Sequence, residues 1–258
     1  MPESILYEKQ GHIAKISFNR PNVFNSFNQE SALLLLDIME ACEADKEIRI
    51  VFLTGIGKAF SAGQDLNEII SGKIPLEEIV EKHYNPIVMQ IYKSTRIYVA
   101  AVNGVAAGAG ANIALVCDMT LATESATFIQ AFSKIGLIPD SGGTFVLPRL
   151  IGFQRALGLA LTGDKVSAKE AERMGMIYRS FPDETFEEEA WKMATKLSKL
   201  PPIGLSYTKK LYNTGICNNL EDQLHQEVVY QNKAGVTEDY HECVNAFLEK
   251  RKPVIKGK

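Results

Sequence analysis

Residues 97–117, with the sequence IYVAAVNGVAAGAGANIALVC, decide which fold class the chain adopts. The stretch has no charged residue, and its length alone would allow a membrane span. It is dominated by Ala and Val, however, and it contains the polar or flexible residues Asn103, Gly104, Gly108, Gly110 and Asn112. This composition favours a buried strand at 98–102, a Gly-rich turn and then the first turn of a buried helix. We therefore expect no membrane span here.

The other predicted strands are of two kinds. Residues 5–9 and 12–18 flank Gln10-Gly11, which is typical of a tight hairpin turn. Residues 50–54 form a continuous apolar run like 98–102, as expected for a strand that is covered on both faces, and 119–122 predict a third buried strand.

Helical patterns alternate with these strands. Apolar residues recur at helical spacing over 27–45, behind a capping-box pattern at 26–29. A less even helical stretch covers 65–95, where Gly72, Pro75 and Pro86 interrupt it, and helix signals return at 144–161 and 167–175. Alternation of strands and helices over 1–195 predicts an α/β core of stacked strand-strand-helix turns.

The composition changes near Pro201-Pro202. Beyond this point the pattern predicts helices only, at 205–214, 219–233 and 238–250. We therefore divide the chain into a core at 1–195 and a helical C-terminal region at 196–258.

Composition excludes several classes of function. The chain has 258 residues, of which 46% are hydrophobic and 23% are charged, and a net charge of −3 argues against nucleic acid as a partner. The cysteines are scattered without a CxxC pair or a metal-ligand spacing, which is typical of reduced thiols in the cytoplasm and predicts no metal site. The first residues lack the basic and apolar regions of a secretory signal.

Three segments carry the functional signal: AFSAGQDL at 59–66, the Gly-rich turn within 101–112, and GLIPDSGGT at 136–144. Together, and nearly end to end, the chain resembles the crotonase (enoyl-CoA hydratase/isomerase) superfamily. The resemblance implies an α/β spiral of strand-strand-helix units, a helical C-terminal region that builds trimers, and an acyl-CoA thioester as substrate. Within the superfamily, 131–140 and 247–251 resemble the subgroup of epoxyphenylacetyl-CoA isomerases.

The two Gly-rich turns are candidates for an oxyanion hole. Removal of a proton next to a thioester carbonyl gives an enolate, whose oxygen backbone N–H groups on tight turns can stabilise. The resemblance implies that the N–H groups of Gln64 and Ala109 form this hole and that 62–66, comprising Ala62, Gly63, Gln64, Asp65 and Leu66, contact the substrate. Each turn taken singly could serve only close packing.

Asp140 is the candidate base. It lies on a Pro/Gly-shaped turn after apolar residues, where poor solvation would make its carboxylate a stronger base than in water. Taken alone, an Asp before Ser-Gly-Gly is usually just a turn or cap residue. In the hydratases of the superfamily two glutamates activate water, and the matching positions here hold Asn112 and Phe132. We expect Asn112 to contact substrate or to pack, and Phe132 to keep the pocket dry.

Basic residues could contact the phosphates of coenzyme A. The resemblance places Arg20 at the nucleotide end, and it places Phe247 and Lys250 where a neighbouring subunit contributes contacts. The alternative for such residues is ordinary solvent exposure.

These features, together with the resemblance to the crotonase superfamily, predict a cytoplasmic acyl-CoA isomerase that needs no cofactor beyond the coenzyme A of its substrate and assembles as a homotrimer or a dimer of trimers. The expected reactions are conversion of 1,2-epoxyphenylacetyl-CoA to oxepin-CoA and migration of a Δ3 double bond to Δ2. The alternatives are a fatty-acid Δ3,Δ2-enoyl-CoA isomerase, an enoyl-CoA hydratase and a non-catalytic acyl-CoA binding protein.

Overall fold

The strands form two sheets. The structure is a computed structural model that describes residues 3–70, 72 and 74–258. The larger sheet has six strands in the order β1-β2-β3-β5-β7-β10, and the smaller has four in the order β4-β6-β8-β9. The strands are β1 (Ile5–Gln10), β2 (Ile13–Phe18), β3 (Ile50–Gly55), β4 (Ala59–Ser61), β5 (Ile97–Val102), β6 (Val105–Ala107), β7 (Met119–Thr123), β8 (Thr127–Ile129), β9 (Lys165–Ser167) and β10 (Arg179–Phe181).

The predicted hairpin and buried strands are confirmed. β1 and β2 pair antiparallel around Gly11, whose φ of +58° suits a residue without a side chain. β3, β5 and β7 are parallel neighbours, and every residue of β5 is buried. The apolar runs therefore mark the central strands, as the two-sided burial of parallel sheets requires.

The strand-strand-helix order is also confirmed. Each of β3, β5 and β7 is followed by a short strand, β4, β6 or β8, and these short strands pair parallel with one another in the second sheet. Helix α2 (Leu66–Ile70) follows β4, and helix α5 (Ala109–Val116) follows β6. This winding brings the turns after β4 and β6 next to each other.

Helix α1 (Gln29–Ala44) begins later than the predicted capping box. Its N-cap is Asn28, whose side chain accepts a hydrogen bond from the Ser31 N–H at 3.0 Å, while Ser31 Oγ accepts from the Asn28 N–H at 3.0 Å. Ser26 Oγ instead donates to Val23 O. The reciprocal pair is thus Asn28 and Ser31, and the expected box at 26–29 was wrong.

The predicted stretch 65–95 is divided at its breakers. It contains α2, α3 (Leu76–Glu78), a π-helical segment at Ile79–Tyr84 and α4 (Asn85–Lys93). Pro75 precedes α3 and Pro86 lies in the first turn of α4, where a missing N–H costs no helical bond. Residues 71 and 73 of the predicted stretch lie outside the described residues.

The remaining helices confirm the other predictions, with one division. The helix expected over 144–161 is split by Gly152, which has a φ of +80°. Three helices follow Pro201, as predicted, but the proposed boundary at 195 falls inside the helix Phe186–Ser198, so the division into two domains stays a prediction. The helices are α6 (Gly143–Ile151), α7 (Phe153–Thr162), α8 (Ala168–Arg173), α9 (Phe186–Ser198), α10 (Pro202–Gly215), α11 (Leu220–Gly235) and α12 (Glu238–Leu248).

Within the described residues, none of these helices has both the length and the apolar character that a membrane span requires.

Candidate active site

The turns after β4 and β6 touch through their glycines. A Cβ at Gly63 would lie 2.8 Å from Ala107 O and 3.2 Å from Ala109 N, so only glycine permits this approach. A Cβ at Gly110 would likewise collide with Ser61 O. The glycines therefore bring the two predicted N–H donors into one region.

The backbone orientation of these donors suits an oxyanion hole. Phe27 bonds to Gly63 O at 2.7 Å and accepts from Asp65 N at 2.8 Å, a parallel bridge that directs the Gln64 N–H away from Phe27. Ala109 is the first residue of α5, where an N–H has no partner within its helix. The positive end of the helix adds to the attraction for an oxyanion there.

A cavity of about 350 Å³ opens beside these turns. Most of its walls are aliphatic or aromatic, and it extends to the α2–α3 region and to the π-helical segment. Of the residues predicted to form the site, seven line this cavity: Ala62, Gln64, Asp65, Leu66, Ala109, Phe132 and Asp140.

Asp140 is presented to the cavity by a strained turn. Ser141 and Gly142 have φ values of +49° and +77°, and the Ser141 hydroxyl donates to Asp140 Oδ1 at 2.8 Å. Burial raises the pKa of the Asp140 carboxyl, and the Ser141 hydrogen bond opposes the rise. A half-buried carboxylate of raised pKa is suited to accept a proton from a bound substrate.

Phe132 is part of the apolar wall of the same cavity. Its side chain is 6% exposed, and its ring would lie 3.7 Å from a Cβ at Gly108. Leu137 lines the cavity beside it and donates its N–H to Phe132 O at 3.0 Å. Phe132, Leu137 and Asp140 line the same cavity, and the expectation that Phe132 keeps it dry stays a prediction.

Asn112 is buried and held by protein groups. Its Nδ2 donates to Asp140 O at 2.9 Å, and its Oδ1 accepts from Gln130 Nε2 at 2.8 Å. The side chain is not among the residues that line the cavity. Substrate contact by Asn112 stays a prediction, and the contacts present join it to the Asp140 turn.

Arg20 does not line the cavity, but it contacts two residues that do. Its guanidinium pairs with Asp65 Oδ2 at 2.9 Å and donates to Ser26 O at 2.5 Å. The charge of Asp65 is thereby compensated by a cation, whereas Asp140, the other carboxylate among the described lining residues, has no such partner among the described residues.

Phe247 and Lys250 lie far along the chain at the end of α12. The Phe247 side chain is 83% exposed, and neither residue lines the cavity of its own chain. A role for them through a neighbouring subunit stays a prediction.

Two residues that the sequence patterns missed belong to the site. Tyr84, the last residue of the π-helical segment, lines the cavity and donates to Gln64 Oε1 at 2.5 Å. Burial, with the nearby charge of Asp140, raises the pKa of Tyr84 well above its usual range, so it remains a donor. Ser141 is the second. π-helical turns are frequent at functional sites, but the sequence carries no signal for one here.

Comparison with known proteins identifies this architecture. The family model for enoyl-CoA hydratase/isomerase matches residues 8–258. The chain belongs to the enoyl-CoA hydratase/isomerase family. It is 45% identical to the 1,2-epoxyphenylacetyl-CoA isomerase of Escherichia coli K12, with all of both chains covered. It is 41% identical to a protein of Rhodobacter capsulatus named "probable enoyl-CoA hydratase", with 99% of this chain and 98% of the relative covered.

A solved structure agrees with this assignment to the enoyl-CoA hydratase/isomerase family. The enoyl-CoA hydratase of Bacillus anthracis superposes with a TM-score of 0.92 at 33% identity, covering 99% of this chain and 100% of that one. The crotonase fold expected from the sequence is thereby confirmed. The relatives include both isomerases and hydratases, so the reaction must be argued from the site.

Proposed function

We propose that the protein is an acyl-CoA isomerase that moves a proton with one carboxylate, Asp140. The observation that carries the proposal is a half-buried Asp140 in an apolar cavity that also contains the Gln64 and Ala109 turns. A carboxylate and backbone donors in one dry cavity are the parts that enolate chemistry requires.

The chemistry balances without a further reactant. In a 3-enoyl-CoA, the Asp140 carboxylate removes a proton from C2, and the electrons move to the thioester oxygen, where the N–H groups of Gln64 and Ala109 stabilise the charge. The protonated Asp140 then returns the proton at C4, which leaves the double bond between C2 and C3. No cofactor is needed for this sequence.

Conversion of 1,2-epoxyphenylacetyl-CoA to oxepin-CoA is the second reaction of the proposal. It is supported by the name of the E. coli relative at 45% identity and by the same need for a held thioester and a mobile proton. The aliphatic and aromatic walls around Phe132 and Leu137 suit an apolar acyl group.

Hydration is the weaker candidate. Two carboxylates activate water in the hydratases that the sequence resembles, and the matching residues here are the amide of Asn112 and the ring of Phe132. Neither can take a proton from water at neutral pH, and the second cavity carboxylate, Asp65, is paired with Arg20.

We further propose that the chain assembles as a trimer or a dimer of trimers. Helices α10–α12 carry large apolar side chains that stay exposed in the single chain, among them Leu220 at 74% and Phe247 at 83%. Such surfaces are typical of interfaces. In the assembly, Phe247 and Lys250 would reach the coenzyme A of a neighbouring site, and Arg20 the nucleotide end of its own. A monomeric mass by light scattering at micromolar concentration would contradict the assembly.

The thiols agree with a cytoplasmic location, which is also a proposal. All four cysteines are free, and two of them, Cys42 and Cys117, are buried. Such thiols are ordinary in a reducing compartment.

The test compares three substrates on one purified preparation. We expect double-bond migration in a 3-enoyl-CoA and consumption of 1,2-epoxyphenylacetyl-CoA, with hydration of crotonyl-CoA at least about 10²-fold slower because general acid–base groups for water are missing. Spectrophotometric rates of the three reactions decide between an isomerase and a hydratase. Comparable turnover in hydration and migration would contradict a single-base mechanism.

A further inference from the structure

We infer that Asn112 and Gln130 are positioning residues that fix the Asp140 turn through its backbone. The inference rests on the proposed function, in which Asp140 is the base, and it assigns to Asn112 a role other than substrate contact. It is carried by a chain of two hydrogen bonds that joins α5 and the segment after β8 to the turn.

The first link is the bond from Asn112 Nδ2 to Asp140 O at 2.9 Å, across 28 positions of the sequence. It holds the peptide group of the base itself, next to the strained φ of Ser141. The second link is the bond from Gln130 Nε2 to Asn112 Oδ1 at 2.8 Å, which is fully buried. A carboxylate on a backbone tethered in this way keeps one position relative to the oxyanion turns.

The orientation of both amides follows from the carbonyl at the end of the chain. Asp140 O can only accept, so Asn112 must turn its NH₂ group toward it and its Oδ1 toward Gln130. Gln130 must then offer its NH₂ group, which leaves Gln130 Oε1 buried without a hydrogen-bond partner among the described residues. A buried oxygen without a hydrogen-bond partner costs stability. That cost is explained if the two hydrogen bonds from Gln130 to Asn112 and from Asn112 to Asp140 serve function.

The surroundings fit the Asn112 amide closely. A Cβ at Gly143 would collide with the Asn112 amide, so the start of α6 can pack there only as glycine. Asn112 is 1% exposed and Gln130 is 4% exposed, so both amide side chains are shielded from water. The surrounding groups therefore confine the two amides to this position.

The two hydrogen bonds also explain why Asn112, an amide, stands where the hydratases of the family have a glutamate. A glutamate here would be an acceptor at neutral pH, and it could not donate to Asp140 O. It would also place a second negative charge beside Asp140. Asn112 supplies the hydrogen-bond donor without the charge. The same substitution therefore removes the hydratase glutamate and positions Asp140.

The test uses Asn112→Ala and Gln130→Met in the full-length protein, assayed with a 3-enoyl-CoA. We expect Asn112→Ala to lower kcat by roughly 10-fold or more with KM changed less than about 2-fold, because a misplaced base loses the near-attack geometry. We expect the acid limb of its pH–rate profile to move toward the ordinary Asp range, because a released turn lets water reach the carboxylate. Gln130→Met, which keeps side-chain length, should cause the same changes to a smaller extent.

The Asp140→Asn background separates positioning from general damage. If Asn112 acts through Asp140, adding Asn112→Ala to Asp140→Asn should lower the residual turnover by less than about 2-fold. Asn103→Ala is the matched control, since Asn103 also holds a backbone turn through its amide, at Gly55 N and Gly57 O, outside the cavity. It should lower the melting temperature and keep kcat.

Three outcomes overturn the inference. A raised KM with normal kcat in Asn112→Ala would make Asn112 a substrate-binding residue. Normal kcat and KM in Asn112→Ala would make Asn112 a packing residue. If Asn112→Ala does not fold, normal kcat and KM in Gln130→Met would likewise show that the two hydrogen bonds do not position Asp140. Wild-type protein without isomerase activity would overturn the proposed function and the inference together. Failure of the inference alone would show normal wild-type activity with one of the variant results above, so the two failures are distinguishable.

Discussion

Asp140 and Asp118 are two aspartates whose surroundings differ in one respect. Burial raises the pKa of both carboxyls. The Asp118 carboxylate pairs with Lys209 Nζ at 2.8 Å and accepts the Tyr98 N–H at 2.8 Å. Asp140 receives the Ser141 hydroxyl, and no salt bridge reaches it from residues 3–70, 72 or 74–258.

Desolvation alone therefore does not identify a catalytic carboxylate. Lys209 is 4% exposed and donates also to Ile91 O and Arg96 O, so the Asp118 pair fastens α10 to the sheet. Both bonds to Asp118 fall on its Oδ2, and one of them comes from the Lys209 ammonium, whereas Asp140 lines a cavity that could hold a substrate. We expect a buried carboxylate to be available for proton transfer when no fixed cation holds its charge and an open cavity adjoins it.

The largest effect expected from this contrast concerns turnover. Asp140→Asn keeps the size of the side chain and can still accept from Ser141, but it cannot take a proton. We expect turnover of a 3-enoyl-CoA to fall about 10²–10⁴-fold, as is common when a general base is removed. Steady-state rates and thioester affinity should be measured on one folded sample.

Affinity is the internal control for that variant. The backbone N–H groups of Gln64 and Ala109 are unchanged, so acyl-CoA binding should persist. Near-normal turnover would remove Asp140 from the mechanism. A joint loss of acyl-CoA binding and folding would show that Asp140 has only the structural role of a turn residue, which is the alternative that the sequence left open.

The next effect concerns stability, and it falls on Asp118. Asp118→Ala leaves the Lys209 ammonium shielded without its partner, which should cost about 3 kcal/mol in the free energy of unfolding. Turnover per folded molecule should stay within about 2-fold of wild type, because the pair lies outside the cavity. Denaturant unfolding together with active-site titration checks both parts. A loss of turnover at unchanged stability would reverse the roles given to the two aspartates.

Local patterns in the sequence predicted the features that local chemistry determines. The apolar run of β3 and the Gly-rich turns at Gly63 and Gly110 were readable because burial on both faces and close backbone approach each restrict residue type. Asp140 was found because it stands on such a turn. The fold and seven residues of the cavity wall followed from these signals together with the family resemblance.

The features that escaped depend on contacts between distant segments. Tyr84 joins the site through a bond to Gln64 that no periodicity encodes, in a stretch that Gly72 and Pro75 make irregular. The tether from Asn112 to the Asp140 carbonyl crosses 28 positions. Even the start of α1 was misplaced, since Ser26 and Asn28 are both good caps and only the fold selects Asn28.

The smallest expected effect is the pH dependence of stability, and it tests whether the charged form of Asp140 is disfavoured in the folded state. Because burial raises the pKa of Asp140 in the folded state, the folded state holds that proton more tightly than the unfolded chain does. Wild type should therefore lose stability as pH rises from the unfolded value of about 3.9 through the raised value, and should keep that deficit at neutral pH. The side chain in Asp140→Asn does not titrate. The free energy of unfolding of this variant should therefore equal that of wild type in acid, exceed it increasingly across that pH window, and exceed it by a constant amount above the window. The difference should be smaller than the loss expected for Asp118→Ala. Asp164→Asn, which removes the same charge from an exposed position, serves as the matched control. Unfolding free energies from about pH 4 to 8 would show the trend. An Asp140→Asn variant that is less stable than wild type at neutral pH would mean that a partner stabilises the charge of Asp140 in the folded state.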